Sequence, residues 1–459
     1  MTAPDPMNHP ATGRRTAPWL LAFLLLLALL QLALVPLLGS RDVEFAPLLR
    51  VDGLGLLFGI AWTLTLAAIC VPLAHQGKRR GSGLFLGLVG VVFLVCAYAQ
   101  NMTVLAAGGA LAAVGIWAVG SELRDSPGAR RSIEAVVSPA IVLVTLAIST
   151  GLPAFVPPAG GVAPPWRPVA MMACVLVVAS SISWGLLVGR ARAGSEGEQE
   201  AGTALPTLYA LATPYLLAKM LVAAPWDPVG AWLLVLLGML AVLVGAYIAY
   251  TSQERQRTKA FAYVLVGLSL TGFGIAANSP LAGAGAVWVM LSGLLWLAGR
   301  GWRRAEVAAM LAALPGLWMV SQAALDTGYG VVAALLLPSY VLLAALVTSH
   351  APRRYLAWRW WGLVPVAMAV IATAVPQLIL EALVRPAVRT LAGGVGALTG
   401  LTVDWGVGML VRTPQGTTPA ALPATGIALA VFLAAVALYW LKQLARRVIR
   451  QPGQDVQAE

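Results

Sequence analysis

Apolar runs of about twenty residues recur along the whole sequence, parted by short loops that hold most of the charge. A bilayer's hydrocarbon core takes about 20 helical residues to cross, and every backbone N–H and C=O inside it must be satisfied within the protein. Runs of this length therefore read as membrane helices. They lie at about 18–39, 53–73, 82–99, 102–120, 133–150, 168–189, 204–224, 229–250, 260–277, 282–299, 305–323, 329–349, 361–381 and 421–441. Only 10% of residues are charged, where a soluble domain has about 25%. The expected fold is an all-α polytopic membrane protein of about 14 transmembrane helices in a single bundle.

The loops give the orientation. With the N-terminus inside, 23 of the 30 Lys and Arg residues fall in inner loops and tails and six in outer loops, Lys219 being the remaining one. Cytoplasmic loops carry such an excess, so both termini are predicted to be cytoplasmic. The chain then divides into a polar cytoplasmic N-terminal tail (1–17), a transmembrane domain (18–441) and a basic cytoplasmic C-terminal tail (442–459). The expected location is the cytoplasmic (inner) membrane, with the lipid bilayer as a partner. The net charge of +12 is spread over these loop clusters, which does not describe a nucleic-acid surface.

Several function classes lack their parts. Cys70, Cys96 and Cys174 each sit in a separate apolar run, and His9, His75 and His350 lie in the tail or loops. Neither set has metal-ligand spacing. There is no P-loop and no dinucleotide fingerprint. No cofactor, metal site or catalytic residue is expected, and any enzymatic role is at most that of a non-catalytic subunit in an oxidoreductase complex. Asp52, Asp227, Asp326 and Asp404 fall at run ends and read as solvated. Gly83 and Gly87, with the spacing of a close helix contact, read as packing positions. Outer loop 151–167 is Pro/Gly-rich, inner loop 190–203 is charged, and the Gly-rich stretch 391–411 within loop 382–420 reads as an interfacial or re-entrant helix.

One cation breaks the pattern. Lys219 lies in PTLYALATPYLLAKMLVAAPW (206–226) with no charged neighbour for several residues on either side. An ammonium near the bilayer midplane costs about 2.5–3.5 kcal/mol on insertion scales. The same environment disfavours the charged form and lowers a lysine's pKa toward values where it can exchange protons. The alternative is that the side chain snorkels to an interface or pairs with a backbone carbonyl. Pro206 and Pro214 imply a broken helix near Lys219.

Several stretches, taken in order, resemble one family. VDGLGLLFGIAWTLTL (51–66) is similar to a Val-Asp-Gly-Leu-Ser-Leu-Leu-Phe helix start. QNMTVLAAGGALAAVGIWAVG (100–120) resembles an Asn-Asp-Leu-Leu hairpin and its helix, and ARRSIEAVVSPAIVLV (129–144) an Ala-Arg-Arg-Ala opening. PTLYALATPYLLAK (206–219) resembles a Pro-Thr…Leu-Leu-Lys segment with the same spacing. RTKAFAYVLVGLSLTGFG (257–274), LPGLW (314–318) and residues 365–388 are similar to later helices. The family is the antiporter-like membrane subunits shared by complex I (NADH:quinone oxidoreductase), group 4 membrane-bound hydrogenases and Mrp cation/proton antiporters.

The resemblance implies proton or Na+ translocation along charged residues at mid-membrane depth, within a complex of other membrane subunits and hydrophilic redox subunits. It places Lys219 at the family's second relay lysine, and Lys259 at one basic residue of a Leu-Lys-Arg loop. The family's glutamate falls near Ala110–Leu111, its first lysine near Val188 beside Arg190, and its exit residue near Gln322–Ala323. None of these positions except Arg190 is charged. Two roles follow for such a subunit, translocation or a structural one. The readings from other classes are a stand-alone ion or small-solute transporter, a membrane subunit of an inorganic-carbon uptake complex, and a lipid-handling enzyme.

Overall fold

The computed structural model describes residues 13–38, 43–45, 49–60, 62–63, 97–99, 104, 215, 218, 228–251, 254–276, 278–298, 303–333, 335–336, 340, 376–391, 402–404 and 410–412. The expected spans at 133–150, 168–189 and 421–441, the pair Gly83/Gly87 and the loops at 151–167 and 190–203 lie outside these residues. The chain divides into two compact units, residues 1–156 with 163–209 and residues 157–162 with 210–459, where the sequence suggested one bundle.

The first unit opens with α1, Gly13–Leu38. It begins five residues before the apolar run and takes in Arg14 and Arg15. Residues 22–35 are its apolar part, with Leu24, Ala28 and Val35 buried and Phe23, Leu26 and Leu30 exposed. A short hairpin follows, β1 (Val43–Phe45) against β2 (Leu49–Val51), pairing Glu44 with Arg50 across the strands. Leu49 also bridges Ala99, and the Arg50 N–H donates to the Tyr98 carbonyl at 2.8 Å.

Asp52 then caps the helical residues 53–60. Its Oδ1 accepts the Gly55 N–H at 2.6 Å and its carbonyl the Leu56 N–H at 2.9 Å, the bonding of an N-cap. Asp52 is only 3% exposed, which corrects the expectation of a solvated end residue. The otherwise orphan N–H groups of a buried helix start draw an oxygen inward. Asp52→Ala is expected to destabilise the chain by about 1 kcal/mol, and Asp52→Asn by less, as read by chemical denaturation in mild detergent.

Among the described residues, the second unit has four long helices that pack in sequence. They are α2 (Pro228–Thr251), α3 (Glu254–Ala276), α4 (Pro280–Ala298) and α5 (Arg303–Asp326). Each agrees with an expected span to within a few residues except the N-terminus of α3, which starts six residues before its run. Residues 229–248 of α2, with mean hydropathy 2.5, are long and apolar enough to cross a membrane. Shorter apolar segments lie at 264–276 and 280–293. Pro at the first position of α2 and of α4 suits a helix start, since its missing N–H has no intrahelical partner there. Ser279, just before α4, accepts the Ala282 N–H at 3.0 Å. α5 ends on Gly328 at φ +86°. There the Tyr329 N–H reaches the Ala324 carbonyl at 2.7 Å and the Gly328 N–H reaches Leu325 at 3.3 Å, a Schellman closure that glycine adopts without a Cβ penalty.

Small residues set the spacing between these helices. A Cβ on Gly267 of α3 would come within 2.6 Å of the Gly238 carbonyl of α2, and one on Gly285 of α4 within 2.5 Å of the Gly316 carbonyl of α5. In lipid, association rests on close packing rather than on hydrophobic transfer, so glycines of this kind hold the layers together. On its far side α2 exposes Val229, Trp232, Leu236, Leu240, Leu243 and Tyr247. These residues recur at helical spacing along one face, with aromatic rings at both ends and leucines between.

Beyond α5, Tyr329 stacks on Trp232 with ring centroids 4.5 Å apart. A last helix runs through three pieces, α6 (Pro376–Ile379), a π-helical turn (Leu380–Val384) and α7 (Arg385–Leu391). It extends ten residues past the expected end at 381. In the π turn the Arg385 N–H donates to the Leu380 carbonyl. Pro386 would clash with the carbonyl four residues back in a regular helix, and the wider turn just before it relieves that crowding. Glu381 and Arg385 form an ion pair at 2.5 Å.

The Gly-rich stretch 391–411 is not an interfacial helix where it is described. Thr402–Asp404 (β3) pairs antiparallel with Leu410–Arg412 (β4), Val403 facing Val411. β-Branched residues on both arms favour extended backbone.

Candidate functional site

Lys219 itself lies outside the described residues. Tyr215 and Ala218, immediately before it, are helical and buried, at 2% and 0% exposure. These two side chains are enclosed by protein in the second unit. Lys259 is helical, in the first quarter of α3 and ahead of its buried apolar part, residues 264–276; its side chain is outside the described residues. So are Ala110, Leu111, Val188 and Arg190. Asp227 is also outside, as is the side chain of Asp404 in β3.

The helices beside these positions carry a polar interior. Ser269 donates to the Leu265 carbonyl at 3.0 Å, Thr271 to Gly267 at 2.9 Å and Ser292 to Trp288 at 3.0 Å. Bonded one turn back along their own helices, these hydroxyls satisfy themselves without a partner helix. Trp288 does reach across. Its Nε1 donates to the Ala312 carbonyl of α5 at 2.7 Å. Pro315 stands inside α5, and without an N–H it leaves the preceding turn short of a donor. The carbonyl that Pro315 leaves without its helical donor is that of Leu311, four residues back, and the indole from α4 bonds the next carbonyl of the same turn, Ala312. Trp288→Phe is expected to cost about 1 kcal/mol, the net worth of one interhelical hydrogen bond, and denaturation in detergent micelles reads it.

Gln322 and Ala323, the positions near which the resemblance puts an exit residue, are among the described residues. Gln322 and Ala323 are both buried, and Gln322 Nε2 donates to Asp326 Oδ1 at 3.0 Å. Asp326 is exposed at the end of α5, in keeping with a solvated end residue. A neutral amide therefore holds this place, tied to a surface carboxylate one turn on. In the first unit Gln31 of α1 is buried among apolar residues and donates to Thr63 at 3.4 Å. Sequence reading passed over this pair, although a glutamine in the middle of an apolar run was the signal for it.

No protein-family model and no curated protein matches the sequence. Solved structures do. A chain of the Mrp complex from Dietzia sp. aligns over 96% of this chain with a TM-score of 0.64 at 15% identity. A chain of respiratory complex I from Thermus thermophilus aligns over 84% of this chain and 100% of its own length, with a TM-score of 0.58 at 16% identity. The fold is that of the antiporter-like membrane subunits. A chain of the membrane-bound sulfane sulfur reductase, an archaeal respiratory membrane complex, extends the antiporter-like likeness over 98% of this chain, with a TM-score of 0.58 at 13% identity. The protein spans 56% of the length of the Mrp chain and 82% of the reductase chain. All three neighbours are chains of multisubunit membrane complexes.

Proposed function

We propose that this protein is an antiporter-like subunit of a complex I-like, hydrogenase-like or Mrp-like assembly in the cytoplasmic membrane, where it takes part in proton or Na+ translocation through Lys219. The observation that carries the reading is the antiporter-like fold along nearly the whole chain. Lys219 is the cation in the middle of an apolar run, and a lysine placed in apolar surroundings can exchange protons; Tyr215 and Ala218, the described residues nearest before it, are buried. Lys259 on α3 is the second basic group of the proposed route, with the smaller share.

The relay differs from the family's where Gln322 stands. An amide does not titrate, so it cannot store the leaving proton. Transport through this subunit then depends on Lys219 and on groups supplied by neighbouring subunits, with hydrophilic redox subunits among the expected partners. Where Lys219 carries no proton, the same fold serves as a lateral spacer in the complex. Ion flux driven by the intact assembly in membrane vesicles, wild type against Lys219 variants, separates the two roles.

A further inference from the structure

α5 contains a hydroxyl that departs from the pattern of its neighbours. Thr63, Ser269, Thr271 and Ser292 are buried in helices, and each donates to the carbonyl one turn back. Ser321 is also buried and helical, yet its Oγ has no partner. Trp318 Nε1 and Gln322 Oε1 are likewise buried and unpaired. Trp318, Ser321 and Gln322 stand at i, i+3 and i+4, the spacing that brings side chains together on one helix face. Their exposures are 8%, 8% and 4%. The Gln322 amide is held by Asp326 through its Nε2, which leaves its carbonyl oxygen free.

The chemistry of the three atoms selects their ligand. Trp318 offers only a donor, Gln322 Oε1 only an acceptor, and Ser321 both. A cation would meet the indole N–H, and an anion the amide oxygen. Water accepts from one and donates to the other. Buried waters in proteins sit in such places, with about three hydrogen bonds to polar groups that lack other partners. We propose that Trp318, Ser321 and Gln322 form a buried water-binding site on α5, joined through the Gln322 amide to Asp326 at the helix's exposed end. Asp326 acts as a positioning residue, keeping the amide oxygen turned toward the site.

The test is hydroxyl-radical footprinting of the full-length chain in native membranes, with radicals made in situ from H2(18)O and the labelled side chains read by mass spectrometry. Bound water should label Trp318 clearly above Trp288. Trp288, at 1% exposure and bonded through Nε1 to Ala312, should stay silent. In a Ser321→Ala/Gln322→Leu variant the Trp318 label should disappear while that of Trp232 persists. A Trp318 as silent as Trp288 in the native chain would overturn the proposal. So would a Trp318 label that the double variant leaves unchanged, since general solvent access would then account for it.

Discussion

Lys219→Ala is expected to lower ion translocation by the assembled complex about tenfold or more, which is the effect of raising the transfer barrier by about 1.4 kcal/mol or more. Assembly should be unaffected, because removing a charge from an apolar run eases insertion rather than hindering it. Lys219→Arg sharpens the comparison. A guanidinium keeps the positive charge but does not deprotonate in proteins. If Lys219 works by giving up its proton, the arginine variant loses transport as fully as the alanine one. If Lys219 contributes only a fixed charge, arginine rescues. Lys259→Ala should have the smaller effect. The readout is acidification or Na+ uptake in sealed vesicles, normalised to the amount of complex, and unchanged flux in Lys219→Ala would reduce this subunit to a structural role.

The largest effect on stability is expected at the contact of α4 with α5. A Cβ on Gly285 would meet the Gly316 carbonyl at 2.5 Å, and one on Gly316 would meet the Gly285 carbonyl at 2.8 Å and the Val289 nitrogen at 3.0 Å. These obstacles are backbone atoms, which cannot rotate aside. Leucine at either position should cost about 3 kcal/mol, the upper part of the range for overpacking. Because the two residues share one contact, the double substitution should cost clearly less than the sum of the singles. Once the helices have been forced apart, the second side chain meets little resistance. Gly283→Ala is the control, since its Cβ would find only Ala276 at 3.5 Å, ordinary packing distance. Unfolding in mild detergent followed by tryptophan fluorescence would show the contrast.

Sequence reasoning worked best where one strong constraint governs the chain. Residues that must cross hydrocarbon have to be apolar and helical for about 20 positions, and that requirement left boundaries for α2, α4 and α5 within a few residues of those found. It could not show the end of α1, where Gly13 to Ala17 continue the helix beyond the apolar run. Nor could it show the pairing of β3 with β4, where β-branched residues on both strands favour extended backbone locally. Hydropathy treats a glycine-rich stretch and a weak helix alike. The π turn depends on one proline five residues past an expected span end.

Burial of polar groups was the least legible feature. Asp52 and Gln31 are both nearly inaccessible, but one caps a helix and the other reaches Thr63 on a segment 32 residues away. Only the packing reveals which end residue faces inward. The candidate site is legible in part for the same reason. Lys219 stands out because it is charged, whereas Trp318, Ser321 and Gln322 look like ordinary members of an amphipathic helix until their unpaired atoms fall on one face.

The central claim is that this chain works inside a larger membrane assembly. Purification of the full-length protein at native expression level in a mild detergent, with identification of co-purifying chains by mass spectrometry, tests it most directly. Further antiporter-like or other membrane subunits in fixed ratio are the expected result, with hydrophilic redox subunits beside them if the assembly is of the complex I or hydrogenase kind. A monodisperse monomer or homodimer, free of other chains, would contradict it and mark the protein as a stand-alone transporter.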